Sequence, residues 1–350
     1  MAIYKIFPEK DATLYTEFPS QNTGLDQIIE SSMYLANSVP QVSRYLIKFP
    51  TSQISEMYEN KITNGEYTVY LRNFNAVVTG LNADQKLEFY PTWGNWDMGT
   101  GRFNDQPIVT NGTSWTYLKY SGSTSWEESG FDPYVTASFQ STLPGGGNWY
   151  TGSNLSSTLD PISQSQNFNY SDTKDVVVDV KNTVETWYSY SLDNTKGFKN
   201  EGFIVKNPDN VEFVDSRANT TIFRFFSIDT NTIYPPQLEF RFNDYTFSTG
   251  SSTNVVLPQV ESFISVYNNQ GTYYSQSVPR LRFAAMPKYP DRTFLTASLY
   301  STNYYLPESQ SLYAVKDTET NEFVIDFDPE YTRISADDTS SFFDLYCNGL

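Results

Sequence analysis

Short runs in which polar and apolar residues alternate, broken about every eight to twelve residues by Gly, Pro, Asn or Ser, constrain this chain most. Glu66-Tyr67-Thr68-Val69-Tyr70-Leu71 and Leu238-Glu239-Phe240-Arg241-Phe242 are two of them. Successive side chains of an extended chain point to opposite faces, so this period reads as a strand with one face on a core and one in water. The residues that fill the runs agree. The 27 Tyr and 25 Phe, with Thr and Val, suit a pleated, half-buried surface. Helix-forming stretches rich in Ala, Glu, Lys and Leu are scarce. The expected fold class is all-β.

At 350 residues the chain is long for one domain, and two are expected. Strands are expected at Ala2–Ile6, Ala12–Thr16, Met33–Leu35, Arg44–Phe49, Tyr67–Phe74 and Leu87–Tyr90, then at Val176–Val180, Gly202–Val205, Thr221–Ser227 and Gln237–Phe242. Between these two groups, residues 93–166 hold Trp93, Trp96, Trp115, Trp126 and Trp149 among Gly, Ser, Thr and Asn. A stretch of this length is expected to be an elaborated face of the first domain. Two short helices are expected, at Thr51–Lys61 and at Lys181–Tyr190, where Val184, Trp187 and Tyr188 share one face. Ser248–Asn254 has the composition of a linker. The expected organisation is therefore a β-jelly-roll sandwich over 1–248 and a small immunoglobulin-like β-sandwich over 255–350.

What the chain lacks excludes several functions. There is no histidine, so a Ser-His-Asp triad, a Cys-His pair and a His-ligated zinc are ruled out. The single cysteine, Cys347, permits no internal disulfide and reads as a small buried hydrophobe beside Leu345 and Tyr346. The net charge of −17 comes with no basic stripe, so a nucleic-acid partner is not expected, and anionic membranes would be repelled. No apolar run has the length of a signal peptide or a membrane span, and folding in a reducing cytoplasm is expected. Gly145-Gly146-Gly147 is no phosphate loop, because no Lys-Ser/Thr follows it.

Several motifs in order resemble the DNRLRE domain family. They are Lys10-Asp11-Ala12-Thr13-Leu14, Asn22-Thr23-Gly24, and Ser43-Arg44-Tyr45-Leu46-Ile47-Lys48-Phe49, followed by Trp93–Arg102 and Asn111-Gly112-Thr113-Ser114-Trp115. Asp175–Trp187, Lys199-Asn200-Glu201-Gly202-Phe203 and Tyr234-Pro235-Pro236-Gln237-Leu238-Glu239-Phe240 complete the set, which covers roughly residues 1–245. The resemblance implies a jelly-roll related to carbohydrate-binding modules. The version found here is similar to structural proteins of large, contractile-tailed phages, although secreted members of the family carry signal peptides. It implies a component of the virion, made in the host cytoplasm, placed on the neck, tail, baseplate or capsid surface. Such a component would act as a homo-oligomer with other virion proteins as partners, and not as an enzyme. A glycan-binding module for host attachment is the alternative, and a polysaccharide-degrading enzyme comes third.

Two sets of side chains carry the ligand readings. Trp96, Trp115 and Trp126 offer flat rings on which a host glycan can stack, and core packing is the competing and favoured role. Asp11, Asn22 and Asp26 offer oxygens for a possible structural calcium, against turn chemistry in which Asn and Asp bond their own backbone. No motif singles out a pair of carboxylates for glycoside hydrolysis among the 40 acidic residues, and no catalytic residue is assigned.

Overall fold

The computed structural model describes residues 2–62, 66–81, 84–121, 123–126, 135–136, 144–150, 163–213, 220–242, 254–257, 261–289, 303–307, 310–329, 331–337 and 339–347. The fold is all-β and of the sandwich class, built mainly from antiparallel sheets, one of which curls into a half-barrel. The largest sheet runs in the order Gln164–Phe168, Gln85–Pro91, Phe203–Lys206, Val39–Lys48, Ile28–Ala36, Thr221–Phe226, Asn75–Thr79. Lys10–Tyr15 also pairs with Val39–Lys48, setting Leu14 opposite Arg44 and Thr13 opposite Tyr45. A four-stranded sheet runs Ala2–Ile6, Gln237–Phe242, Tyr67–Asn73, Val176–Asp179.

By contacts the chain forms two compact units. The larger holds residues 5–59 and 69–239, and the smaller holds 1–4, 60–68 and 240–350. The expected linker Ser248–Asn254 lies outside the described residues except for Asn254, which opens the strand Asn254–Val256. In the smaller unit the main sheet runs Asn254–Val256, Asn303–Tyr305, Arg280–Pro287, Ser341–Asp344, Ser335–Ala336, and Ser262–Val266 adds to Arg280–Pro287. Among the described residues its core includes a cluster of Leu257, Ala285, Leu306 and Ile334, with Phe283 and Tyr304 packed against it.

Alternation shows clearly where the pattern is strict. In Gln85–Pro91 every second residue is buried, with Leu87 and Phe89 inside. Gln237–Phe242 departs from its expected wet face, being buried on both sides with Glu239 fully enclosed. It lies between two strands of its sheet, and the Arg72 guanidinium comes within 3.8 Å of the Glu239 carboxylate. A neighbouring cation lets a charged residue occupy an inward position that its sequence pattern marks as solvated.

Two helices form where expected. Thr51–Glu56 follows Pro50 and continues into a π-helical turn, Met57–Lys61. Lys181–Leu192 buries Val184 and Trp187, while Tyr188 stacks on Tyr58 at 4.4 Å. Trp187 packs against Phe203 with ring centroids 4.7 Å apart, tying the helix to the large sheet.

The centre of the larger unit is a buried charge network inside a cage of tryptophans. Arg44 and Glu212 are both fully buried and bidentate, with Nε to Oε1 at 3.2 Å and Nη2 to Oε2 at 2.6 Å. Arg44 Nη1 donates to the Gly146 carbonyl at 2.7 Å, and Lys206 Nζ lies 3.6 Å from the same Glu212. The guanidinium sits 4.9 Å from the Trp115 ring and 5.3 Å from the Trp149 ring. Gly146 holds a φ of +81°, and a Cβ there would fall 2.6 Å from the Trp115 ring and 2.9 Å from Arg44.

Gly146→Ala should therefore destabilise far more than Gly271→Ala, whose φ of +82° is similar but whose Cβ meets open space. The Gly271 change carries only the backbone cost of about 1–2 kcal/mol, whereas overpacking at Gly146 adds about 1–3 kcal/mol. Urea melts of the two variants check this, and equal losses would show that the cage tolerates an added methyl.

Candidate functional site

A pocket opens on the larger unit beside the turn that leads into Ile28–Ala36. Its volume is about 550 Å³. Three parts of the fold build it. Ile28, Glu30 and Tyr34 stand on one face of Ile28–Ala36, two or four residues apart. Ile222 and Arg224 come from Thr221–Phe226, whose register sets Arg224 directly opposite Glu30. Leu25–Gln27, Arg102–Asn104 and Tyr15 close the sides.

The pocket combines aromatic surface with fixed charge. Tyr15 and Phe103 meet at 4.7 Å, and Phe18 packs edge-on to Phe103 at 5.4 Å. Arg224 Nε donates to Glu30 Oε2 at 2.8 Å, and the Ser43 hydroxyl reaches Glu30 Oε1 at 3.3 Å. The Tyr34 hydroxyl donates to Glu17. Both oxygens of Asp26 accept the Phe103 N–H, at 3.2 and 3.1 Å. Burial outweighs that bond and pushes the Asp26 carboxyl up to about 6. The arrangement offers hydrogen-bond donors and acceptors in fixed planes beside ring faces, which suits a polyhydroxylated or otherwise amphipathic ligand.

The residues expected to bind ligands lie elsewhere, with one exception. Trp96, Trp115 and Trp126 are each 0% exposed and belong to one core cluster with Leu14, Leu46 and Ile204. Trp96 Nε1 donates to the Glu201 carbonyl and Trp126 Nε1 to the Ser114 carbonyl, both at 2.9 Å. Sugar stacking requires an open ring face, so the glycan role is corrected: these rings are core. The described part of the Trp-rich stretch sends Trp96, Trp115, Trp126 and Trp149 into the core, while Arg102, Asn104, Ile108 and Tyr120 stay exposed at the surface.

The calcium set is not assembled either. Asn22 is fully buried, and its Nδ2 donates to the carbonyls of Met98 at 2.7 Å and Thr113 at 2.8 Å. Its Oδ1 accepts the N–H groups of Gly101 and Gly24, at 2.8 and 3.3 Å. Donors converging on that oxygen leave no room for a cation, so Asn22 is a clamp on residues 98–113. Asp11 is buried, takes the Ile228 N–H at 2.7 Å on Oδ2, and has its carboxyl raised well above the ordinary range by burial. Among the described residues no three acidic, His or Cys side chains gather closely enough to hold a metal. Asp26 alone of the six named residues reaches the pocket. Glu30, Arg224, Tyr15, Tyr34 and Phe103 carried no signal of their own in the sequence, since strand register brings Glu30 and Arg224 together across almost two hundred positions.

The pH dependence follows from Asp26. Its carboxyl holds its proton longer in the folded chain than in the unfolded one, where such groups titrate near about 3.9. Between about 4 and about 6 the folded state binds more protons, so raising the pH through this window removes stability. Asp26→Asn should flatten that part of the curve, leaving the part due to Asp11, and should stabilise the chain relative to wild type at pH 7. Thermal melts from pH 4 to 7 check this, and parallel curves would show that Asp26 titrates normally.

No protein-family model matches this chain, and no curated protein matches it in sequence.

Proposed function

We propose that the chain is a structural component of a tailed-phage virion, on the neck, tail, baseplate or capsid surface, which works by protein–protein assembly and performs no catalysis. The observation that carries this reading is where apolar side chains meet solvent. Most exposed large apolar residues among the described ones fall between Val256 and Phe327, including Phe263, Ile264, Tyr274, Met286, Tyr289, Phe323 and Phe327. Exposed apolar surface of this extent is what a module completed by partners presents. The ordered motifs of the first 245 residues support the phage context, and the absence of histidine removes the commonest general base from a catalytic reading. The partners are other virion proteins and further copies of the chain, without nucleic acid or membrane.

Glycan binding for host attachment is the second reading, and the pocket at Tyr15, Asp26, Glu30, Arg102, Phe103 and Arg224 favours it. The two roles are compatible in one surface protein.

Mass spectrometry of gradient-purified particles should find the chain in many copies per virion. Its absence from intact particles would refute the structural role. For the second reading, saccharides that bind the wild type on a glycan array should be lost with Phe103→Ala and Arg224→Ala and kept with Trp115→Phe. Retained binding in both pocket variants would remove the pocket from consideration.

A further inference from the structure

We infer that Ser262–Val266 is a self-pairing edge, and that two copies of this chain join antiparallel along it about a two-fold axis through Ile264. This rests on the assembly reading and names the surface and the partner. The strand pairs with Arg280–Pro287 on one side in an unbroken register, from Ser262 opposite Pro287 to Val266 opposite Phe283. No strand among the described residues pairs with its other side. The Lys288 N–H donates to the Glu261 carbonyl at 2.8 Å and the Tyr267 N–H to the Arg282 carbonyl at 3.2 Å. Main-chain groups of an antiparallel strand alternate in direction, so those of Ser262, Ile264 and Val266 face outward. The run Ser262-Phe263-Ile264-Ser265-Val266-Tyr267 has no charge, proline or bulge, the devices that usually keep a free edge single. Phe263 is 59% and Ile264 55% exposed, on opposite faces of the strand.

Charge selects this orientation for a second copy. Two chains of net charge −17 repel, and association is favoured where the surface is neutral. With the axis at Ile264, Ser262 lies opposite Val266 of the second copy, Ile264 opposite Ile264, and Glu261 opposite Tyr267. The row across the joined sheet then reads Lys288, Glu261, Tyr267 of the second copy, Arg282 of the second copy. Glu261 already pairs with Lys288 at 2.7 Å, and the row sets the neutral Tyr267 of the second copy, not another carboxylate, on its other side. A parallel in-register pairing would instead put Glu261 beside Glu261, which disfavours it. On the same face Phe263 covers the small Ser265 and Ala284 of the second copy. On the other face Ile264, Val266 and Phe283 of the two copies form one apolar strip. Two-fold closure ends the assembly at a pair along this edge.

The test uses the full chain. Light scattering behind size exclusion should find a dimer or an even-numbered oligomer. Ile264→Lys, a change at an exposed site, should halve that mass while leaving circular dichroism unchanged. Under mild oxidation Ile264→Cys should link into a covalent dimer, since its twin across the axis has its Cα about 5.5 Å away, inside the range a disulfide spans. Ser262→Cys should not, its twin being displaced by four residues, about 13 Å along the strands. Buried Cys347 is shielded from this reaction. An oligomer that survives Ile264→Lys, or equal linking of the two cysteine variants, overturns the edge while leaving the assembly reading in place. A wild-type monomer at high concentration overturns self-pairing, and the presence of the chain in particles then decides the assembly reading separately.

Discussion

The pairing of Arg44 with Glu212, shut away from water among tryptophans, is the constraint on which the larger unit depends. An isolated charge in such a place is costly by several kcal/mol, and the cost is offset only if every partner arrives. Those partners come from distant parts of the chain: Glu212, the Gly146 carbonyl, and the faces of Trp115 and Trp149. Lys206, on the strand next to that of Arg44, adds a second cation to the same carboxylate. A fold in which the glycine triplet sat away from Val39–Lys48 would strand a guanidinium in the core. Trp115 and Trp149 of the Trp-rich stretch are thereby drawn inside. Its glycines serve close approach, and its indoles serve as walls.

The strand framework was legible because it rests on local physics. A period of two, aromatic and β-branched residues and regular turn signals act within a few residues, and the expected strands of the larger unit appear close to their expected places. The helix at Lys181–Leu192 was legible for the same reason, since Val184 and Trp187 mark one face. What escaped depends on encounters between distant segments. Gln237–Phe242 reads as half-wet, yet Arg72 across the sheet makes Glu239 an interior residue. Asn22 carries the same letters as a turn residue or a metal ligand. Only the convergence of Met98, Gly101 and Thr113 upon it makes it a clamp. Tryptophan identity is likewise silent on exposure. The same indole that would stack on a sugar also fills a core, and the core took Trp96, Trp115 and Trp126.

The two units differ in how they spend their apolar residues. The larger encloses Trp96, Trp115, Trp126 and Trp187 completely and satisfies its buried cations by carboxylates and carbonyls. The smaller leaves Phe263, Ile264 and Met286 in solvent. The larger unit presents a polar, aromatic-lined pocket, and the smaller presents exposed apolar side chains, the surface on which the assembly proposal draws. With a net charge of −17, copies of the chain repel one another, so any association is favoured where the surface is neutral.

A double-mutant cycle on Arg44 and Glu212 tests most directly whether the buried pair organises the larger unit. Arg44→Met, Glu212→Gln and the double variant would be compared by urea unfolding at pH 7. Each single change is expected to cost about 3–5 kcal/mol, because it leaves a buried charge without its partner. The double variant should fall short of the sum by about 2 kcal/mol or more, beyond the scatter of independent sites. Single losses below about 1 kcal/mol that simply add would contradict it, and would place the stability of the unit in its apolar packing alone.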